Sequence, residues 1–174
     1  VDEIFNFDSH SVARDIEVCI TEAHHKGAEN NCDLEVSYAF VVVNEMTYNL
    51  PVFYIDGMLT TQAIKLNAGD YILEEFILMN DNGTPEILDD DLIVMASVNE
   101  EGEFASYVEM TLPYEFTVEA FLKIELHVEV ICYYPEFYYW YGFEFFTVWI
   151  TNIMNGTSLE IYALNIQNYM KEVI

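Results

Sequence analysis

Residues 123–132 read KIELHVEVIC, and the alternation in this stretch decides the fold class. Ile124, Leu126, Val128, Val130 and Cys132 fall on one side of an extended chain, with Glu125, His127 and Glu129 on the other. Successive side chains of a β-strand point to opposite faces, so this period of two predicts an antiparallel strand with one packed and one wet face. The pattern recurs along the chain. Residues 15–20 (DIEVCI) set Ile16, Val18 and Ile20 against Glu17 and Cys19. Residues 114–121 (YEFTVEAF) set Phe116, Val118 and Ala120 against Thr117 and Glu119. Residues 32–43 (CDLEVSYAFVVV) put Leu34, Val36, Tyr38, Phe40 and Val42 together. That leaves Val41 and Val43, like Ile131 and Trp149 further on, as apolar residues on nominally wet faces.

In residues 66–84 (LNAGDYILEEFILMNDNGT), Tyr71 and Leu73 share one phase, and Phe76 and Leu78 share the other. A β-bulge at Glu74-Glu75 would put all four on one face. A further strand is expected in residues 88–98 (LDDDLIVMASV). Turn signals fall at 24–31, 56–57, 67–70, 80–85, 99–102 and 155–156, and no long amphipathic helix interrupts them. This spacing predicts an all-β protein, a two-sheet antiparallel sandwich over residues 1–150. Residues 151–174 form a C-terminal extension, in which SLEIYALNI (158–166) reads as one more strand.

The aromatic run YYPEFYYWYGFEFFTVW (133–149) divides into three pieces. Strand 124–132 ends at Tyr133-Tyr134. Pro135 and Glu136 suit the start of a short helical crossover, which Gly142 ends. Phe143, Phe145, Phe146 and Val148 belong to a following strand. The crossover either caps the open end of the sandwich or presents Tyr138, Tyr139 and Trp140 as a surface on which sugar rings stack.

The chain has 174 residues, of which 53% are hydrophobic and 16% aromatic, enough for one sizeable core and unlike a disordered acidic tail. Five Lys and Arg face 31 Asp and Glu, for a net charge of -26. That field repels phosphate, which excludes nucleic acid as a partner, and it disfavours anionic lipid. It favours cations and basic partners. No apolar run is long enough for a transmembrane segment and no signal peptide opens the chain, so a start at Val1 fits either a cleaved leader or a preceding segment.

The order of segments from LPVFYIDG (50–57) through IKLNAGDYILEEF (64–76), NDNGTP…DDD (80–91) and FTVEAF (116–121) to CYYPEFYYWYGFEFF (132–146) resembles a group of Bacteroidota exported surface proteins, often lipoproteins. The likeness covers roughly residues 34–150. It implies an immunoglobulin- or transthyretin-like sandwich, secreted or held at the cell surface or in the periplasm, and supplies no catalytic residues. The chain departs from the group in lacking an N-terminal lipobox cysteine and in having few Lys.

Residues 80–91 (NDNGTPEILDDD) gather Asp81, Asn82, Glu86, Asp89, Asp90 and Asp91 around one hairpin. Calcium takes six to eight hard oxygen ligands, which such a loop could supply, although the spacing is not that of an EF-hand. The alternative is a solvated hairpin built on an Asn-Gly turn. His24-His25, His10 and His127 read as surface residues. Cys32 and Cys132 are both in phase with core residues. Free buried thiols are expected, since three cysteines cannot all pair within the chain, and a Cys32–Cys132 disulfide is the alternative open to an exported protein. Asn82-Gly83-Thr84 and Asn155-Gly156-Thr157 match the glycosylation sequon. No phosphate loop, GxSxG or HExxH motif is present, and 31 acids make some carboxylate pair inevitable, so no enzyme is expected. The function expected is a structural or interaction subunit of the cell envelope, docking on other envelope proteins or self-assembling into a fimbria-like polymer or outer-membrane complex. The alternative is a carbohydrate-binding module that uses Tyr138, Tyr139 and Trp140, with calcium as its candidate cofactor.

Overall fold

Alternating sequence becomes strand wherever the chain is described. The computed structural model describes the backbone of residues 3–11 and, with side chains, residues 30–55, 58–85 and 90–143. Except for Phe143, these lie in the compact unit Val1–Gly142. The strands expected at 15–20, 143–148 and 158–166 fall outside the described residues, wholly or nearly so, as do Asp89 and the 155–156 turn.

Nine strands pair into a curled sheet. They are β1 (Glu3–Ser11), β2 (Tyr38–Val43), β3 (Met46–Ile55), β4 (Met58–Thr61), β5 (Ile64–Leu66), β6 (Gly69–Asn80), β7 (Leu92–Ala96), β8 (Tyr114–Val118) and β9 (Ile124–Cys132). A first 3-10 helix, Glu103–Tyr107, precedes β8, and a second, Pro135–Tyr141, follows β9. The path runs β2-β3-β4-β1-β9-β7-β6-β8, and β2 also pairs with β6, so the sheet returns on itself. The protein is therefore all-β and mostly antiparallel. The exception among the described strand pairs is β1 against β9, parallel from Phe5↔Ile124 to Ser11↔Val130.

Two strands change partners along their length. β3 pairs with β2 as far as Pro51 and with β4 from Val52 onward. Proline has no N–H to give a ladder, and it sits where the strand passes from one neighbour to the next. β9 pairs with β1 up to Val130, then with β7 at Ile131 and Cys132. The bulge in β6 falls where the phase slip placed it: Val42 faces Glu75 and Val43 faces Leu73. Leu73, Phe76 and Leu78 are all fully buried as a result, and Tyr71 is half-buried.

Three expectations about facing need correction. In β2 the buried residues are Ala39, Val41 and Val43, while Tyr38, Phe40 and Val42 are half-buried. Both phases of this strand are apolar, so periodicity could not choose between them. The tyrosine hydroxyl, which needs a partner when desolvated, decides the face. Ile131 is core rather than wet-face, because the end of β9 is covered on both sides. Glu129 is buried as well. Its carboxylate accepts the backbone N–H groups of Glu109 (2.6 Å) and Met110 (2.9 Å), which compensates its desolvation. Ala120 lies beyond β8, which stops at Val118; the chain then turns through Phe121 at φ 67°.

Cys32 and Cys132 form a disulfide, their Cα atoms 5.2 Å apart, where free thiols were expected. The partners are brought together by the Asn31 N–H, which donates to the Tyr133 carbonyl (3.0 Å), and by the Asn31 side chain, which donates to the Ile93 carbonyl (2.7 Å).

Candidate functional site

Three regions compete as sites, beginning with the aromatic crossover. Its helix starts with Pro135 in the first turn and ends at Gly142, which is left-handed at φ 78°. Tyr141 is fully buried; its hydroxyl donates to the Cys132 carbonyl (2.5 Å) and accepts from the Tyr134 N–H (3.0 Å). Burial pushes this phenol well above its ordinary range. Trp140 packs against Phe137 (ring centroids 4.7 Å apart) and edge-on against Phe104 of the first helix (5.3 Å). The crossover and the first helix also meet backbone to backbone: the Asn99 N–H donates to the Tyr141 carbonyl (2.8 Å), and a Cβ on Gly102 would lie 2.5 Å from the Trp140 carbonyl oxygen.

The residues suggested for sugar stacking are thus adjacent but differently engaged. Tyr139 is 55% exposed, whereas Tyr138 and Trp140 are half-buried. Tyr138 stands at 86° to Tyr139, and Tyr139 at 90° to Trp140. Consecutive rings at right angles share no common face.

The second region is the acidic hairpin between β6 and β7. Asn82 and Gly83 are both left-handed, at φ 49° and 75°, as an Asn-Gly turn requires. Asp81 organises this turn. One of its carboxylate oxygens accepts from the Gly83 N–H (3.0 Å) and the Ser37 hydroxyl (3.0 Å). Asp90 accepts from the Thr84 hydroxyl at 2.7 Å. Asp91 turns inward and accepts the Tyr38 hydroxyl at 2.5 Å through Oδ2. Burial first, and then the Asp91 bond and charge, hold the Tyr38 phenol well above its ordinary range. The residues expected to bind calcium therefore point to different partners, with Asp89 outside the described residues. Among the described residues no three His, Cys, Asp or Glu side chains are placed to hold one metal ion. An open cavity of about 280 Å³ nevertheless lies beside this loop, reached by Ser37, Tyr38, Asp81 and Asp91.

The third region was not singled out from sequence. At the free end of the β3–β4 hairpin, Phe53, Tyr54 and Ile55 in a row are exposed, as is Met58 opposite. Tyr54 is 73% exposed. The available signal was three consecutive large apolar residues beside Asp56-Gly57, where an amphipathic strand would alternate. Of the histidines, His127 is exposed on β9, on the same face as the Lys123–Glu125 ion pair. His24 and His25 lie outside the described residues, and His10 is on β1.

No protein-family model matches the chain, and no curated protein sequence matches it. Among solved structures, a leucine-rich repeat protein from Bacteroides thetaiotaomicron VPI-5482 aligns at 14% identity with a TM-score of 0.41. The alignment covers 74% of this chain and 12% of that one. A likeness this slight bears on neither fold nor function.

Proposed function

We propose that the protein is a non-enzymatic interaction subunit of a cell envelope, an exported domain that docks into a larger surface assembly through the end of its β3–β4 hairpin. One observation carries this: Phe53, Tyr54, Ile55 and Met58 are exposed together on a hairpin end, with both strand faces in water. Clustered exposed apolar residues mark interaction sites, whereas scattered ones need no explanation. The Cys32–Cys132 disulfide supports the exported setting, since such bonds persist in oxidising compartments. The handover of β3 and β9 between two groups of strands supports the finer fold reading, an immunoglobulin- or transthyretin-like two-sheet sandwich with corners at those strands. Kinship with the Bacteroidota exported proteins belongs to the same proposal.

Earlier grounds for docking no longer help, because Val41, Val43 and Ile131 are core residues. The hairpin replaces them. Native mass spectrometry on protein from its source is the test. A defined multimer or hetero-complex is expected, and Phe53→Ser/Tyr54→Ser should dissolve it while leaving the melting temperature of the isolated chain within about 2 °C, as exposed positions allow. A monomer from source, unchanged by the double substitution, would refute the proposal.

A further inference from the structure

The cavity beside the β6–β7 loop poses a separate question, independent of any assembly. Asp91 lies at its buried end and is 4% exposed. Its Oδ2 is bonded to Tyr38, but Oδ1 is buried with no hydrogen-bond partner. A buried, half-unsatisfied carboxylate is costly, and it is stabilised by any donor that reaches it. Asp81 adds a second carboxylate to the lining. The chain's own cations supply no partner there: Lys65 and Lys123, the Lys residues among those described, are not in the lining.

We propose that this cavity binds a small organic cation, an ammonium or guanidinium group on an aliphatic stem, with Asp91 as its anchoring carboxylate. Three observations favour such a group over a metal ion. No trio of metal-ligating side chains converges among the described residues. At about 280 Å³ the cavity exceeds a bare ion and would hold several waters, each taking ~30 Å³ in the liquid. Its walls include the Tyr38 ring, Pro51 and Pro85, apolar surfaces along which a methylene stem can lie and, at Tyr38, a π-face for the cation. Asn49 and Ser37 add neutral polar groups at the lining. A carboxylate facing a guanidinium makes the strong, charge-assisted kind of hydrogen bond.

The test is a titration of the intact chain, followed by backbone amide NMR shifts, with n-butylammonium, Nα-acetylarginine amide, its neutral citrulline counterpart, and calcium chloride at matched ionic strength. Saturable binding of a cationic probe is expected, with shifts at Ser37, Asn49 and Asp81 and with citrulline at least about tenfold weaker. Asp91→Asn should weaken binding by about as much. Circular dichroism reports whether that variant folds, and the shift map of the unaltered chain stands without it. Preference for butylammonium would identify a free amine as the natural occupant. Preference for the arginine amide would identify the side chain of a basic partner. Equal binding of citrulline, no saturation, shifts confined elsewhere, or the same sites answering to calcium alone would each overturn the proposal.

Discussion

Glu75 sits at the β6 bulge with its Oε2 buried and unbonded, next to Glu74, whose carboxylate accepts the Glu45 N–H (2.7 Å). Burial, and then the Glu74 charge, raise Glu75 from an ordinary 4.5 to about 7. Below about pH 4.5 the folded and unfolded chains both hold this proton. Between there and about pH 7 only the folded chain does, so stability from this group declines as pH rises through that window and levels off above it. Glu75→Gln should flatten that decline and raise stability at pH 8 by roughly 1–2 kcal/mol, a figure discounted for partial exposure and read from urea unfolding at pH 5 and 8. A variant that parallels the parent at both pH values would contradict the assignment. At Gly102, even one methyl group meets backbone rather than a flexible side chain. Gly102→Ala should therefore cost on the order of 1–3 kcal/mol by denaturant midpoint, from overpacking alone. The sequence revealed that Glu74-Glu75 interrupts a phase. Which of the two would cap a neighbouring hairpin and which would be stranded depends on a contact 29 residues away, beyond the reach of local pattern.

At the scale of elements, legibility followed polarity. β8 and the first half of β9 have one polar phase, and their facing could be read directly. β2 has none, and its facing came out reversed. The β2–β3 turn escaped notice for a related reason. Asn44 and Glu45 are both left-handed, at φ 47° and 64°, the geometry of a two-residue hairpin turn, but glutamate is an unusual residue there. Tertiary bonds hold it instead: the Asn44 side chain accepts the Ile72 N–H (2.7 Å), and Glu74 takes the Glu45 N–H. The aromatic crossover was legible because its proline and glycine mark its ends. Its rings were not, since solvent or core is decided by Phe104, on a helix the sequence did not announce. The disulfide ties the turn before β2 to the end of β9 across a sequence separation of 100. Loops of that length gain most from closure, so reduction should lower stability by about 2–5 kcal/mol, measured as the change in urea midpoint with and without reductant.

For the whole molecule, charge dominates. A net charge of -26 works against compaction, and its repulsion is screened over about 10 Å at 0.1 M salt. Raising sodium chloride from about 20 to 300 mM should increase the melting temperature, and calcium at equal ionic strength should do no more unless it finds a dedicated site. An excess effect of calcium that Asp90→Asn abolishes would restore the acidic hairpin as a metal site. The candidate cavity was half-visible in the sequence: Asp81 and Asp91 stood out by charge. Tyr38, Asn49 and Pro51 join them only because β2 and β3 are cross-strand neighbours, with Tyr38 opposite Pro51.

The bond between Cys32 and Cys132 also makes the chain a closed covalent ring with a tail on either side. A protease that cuts once anywhere within the ring opens it without releasing a fragment. The nicked molecule keeps its intact mass and its place on a sizing column, and it falls into pieces only when a reductant is added. In an envelope exposed to proteases, a cut in the ring would leave every strand from β2 to β9 still joined to the rest.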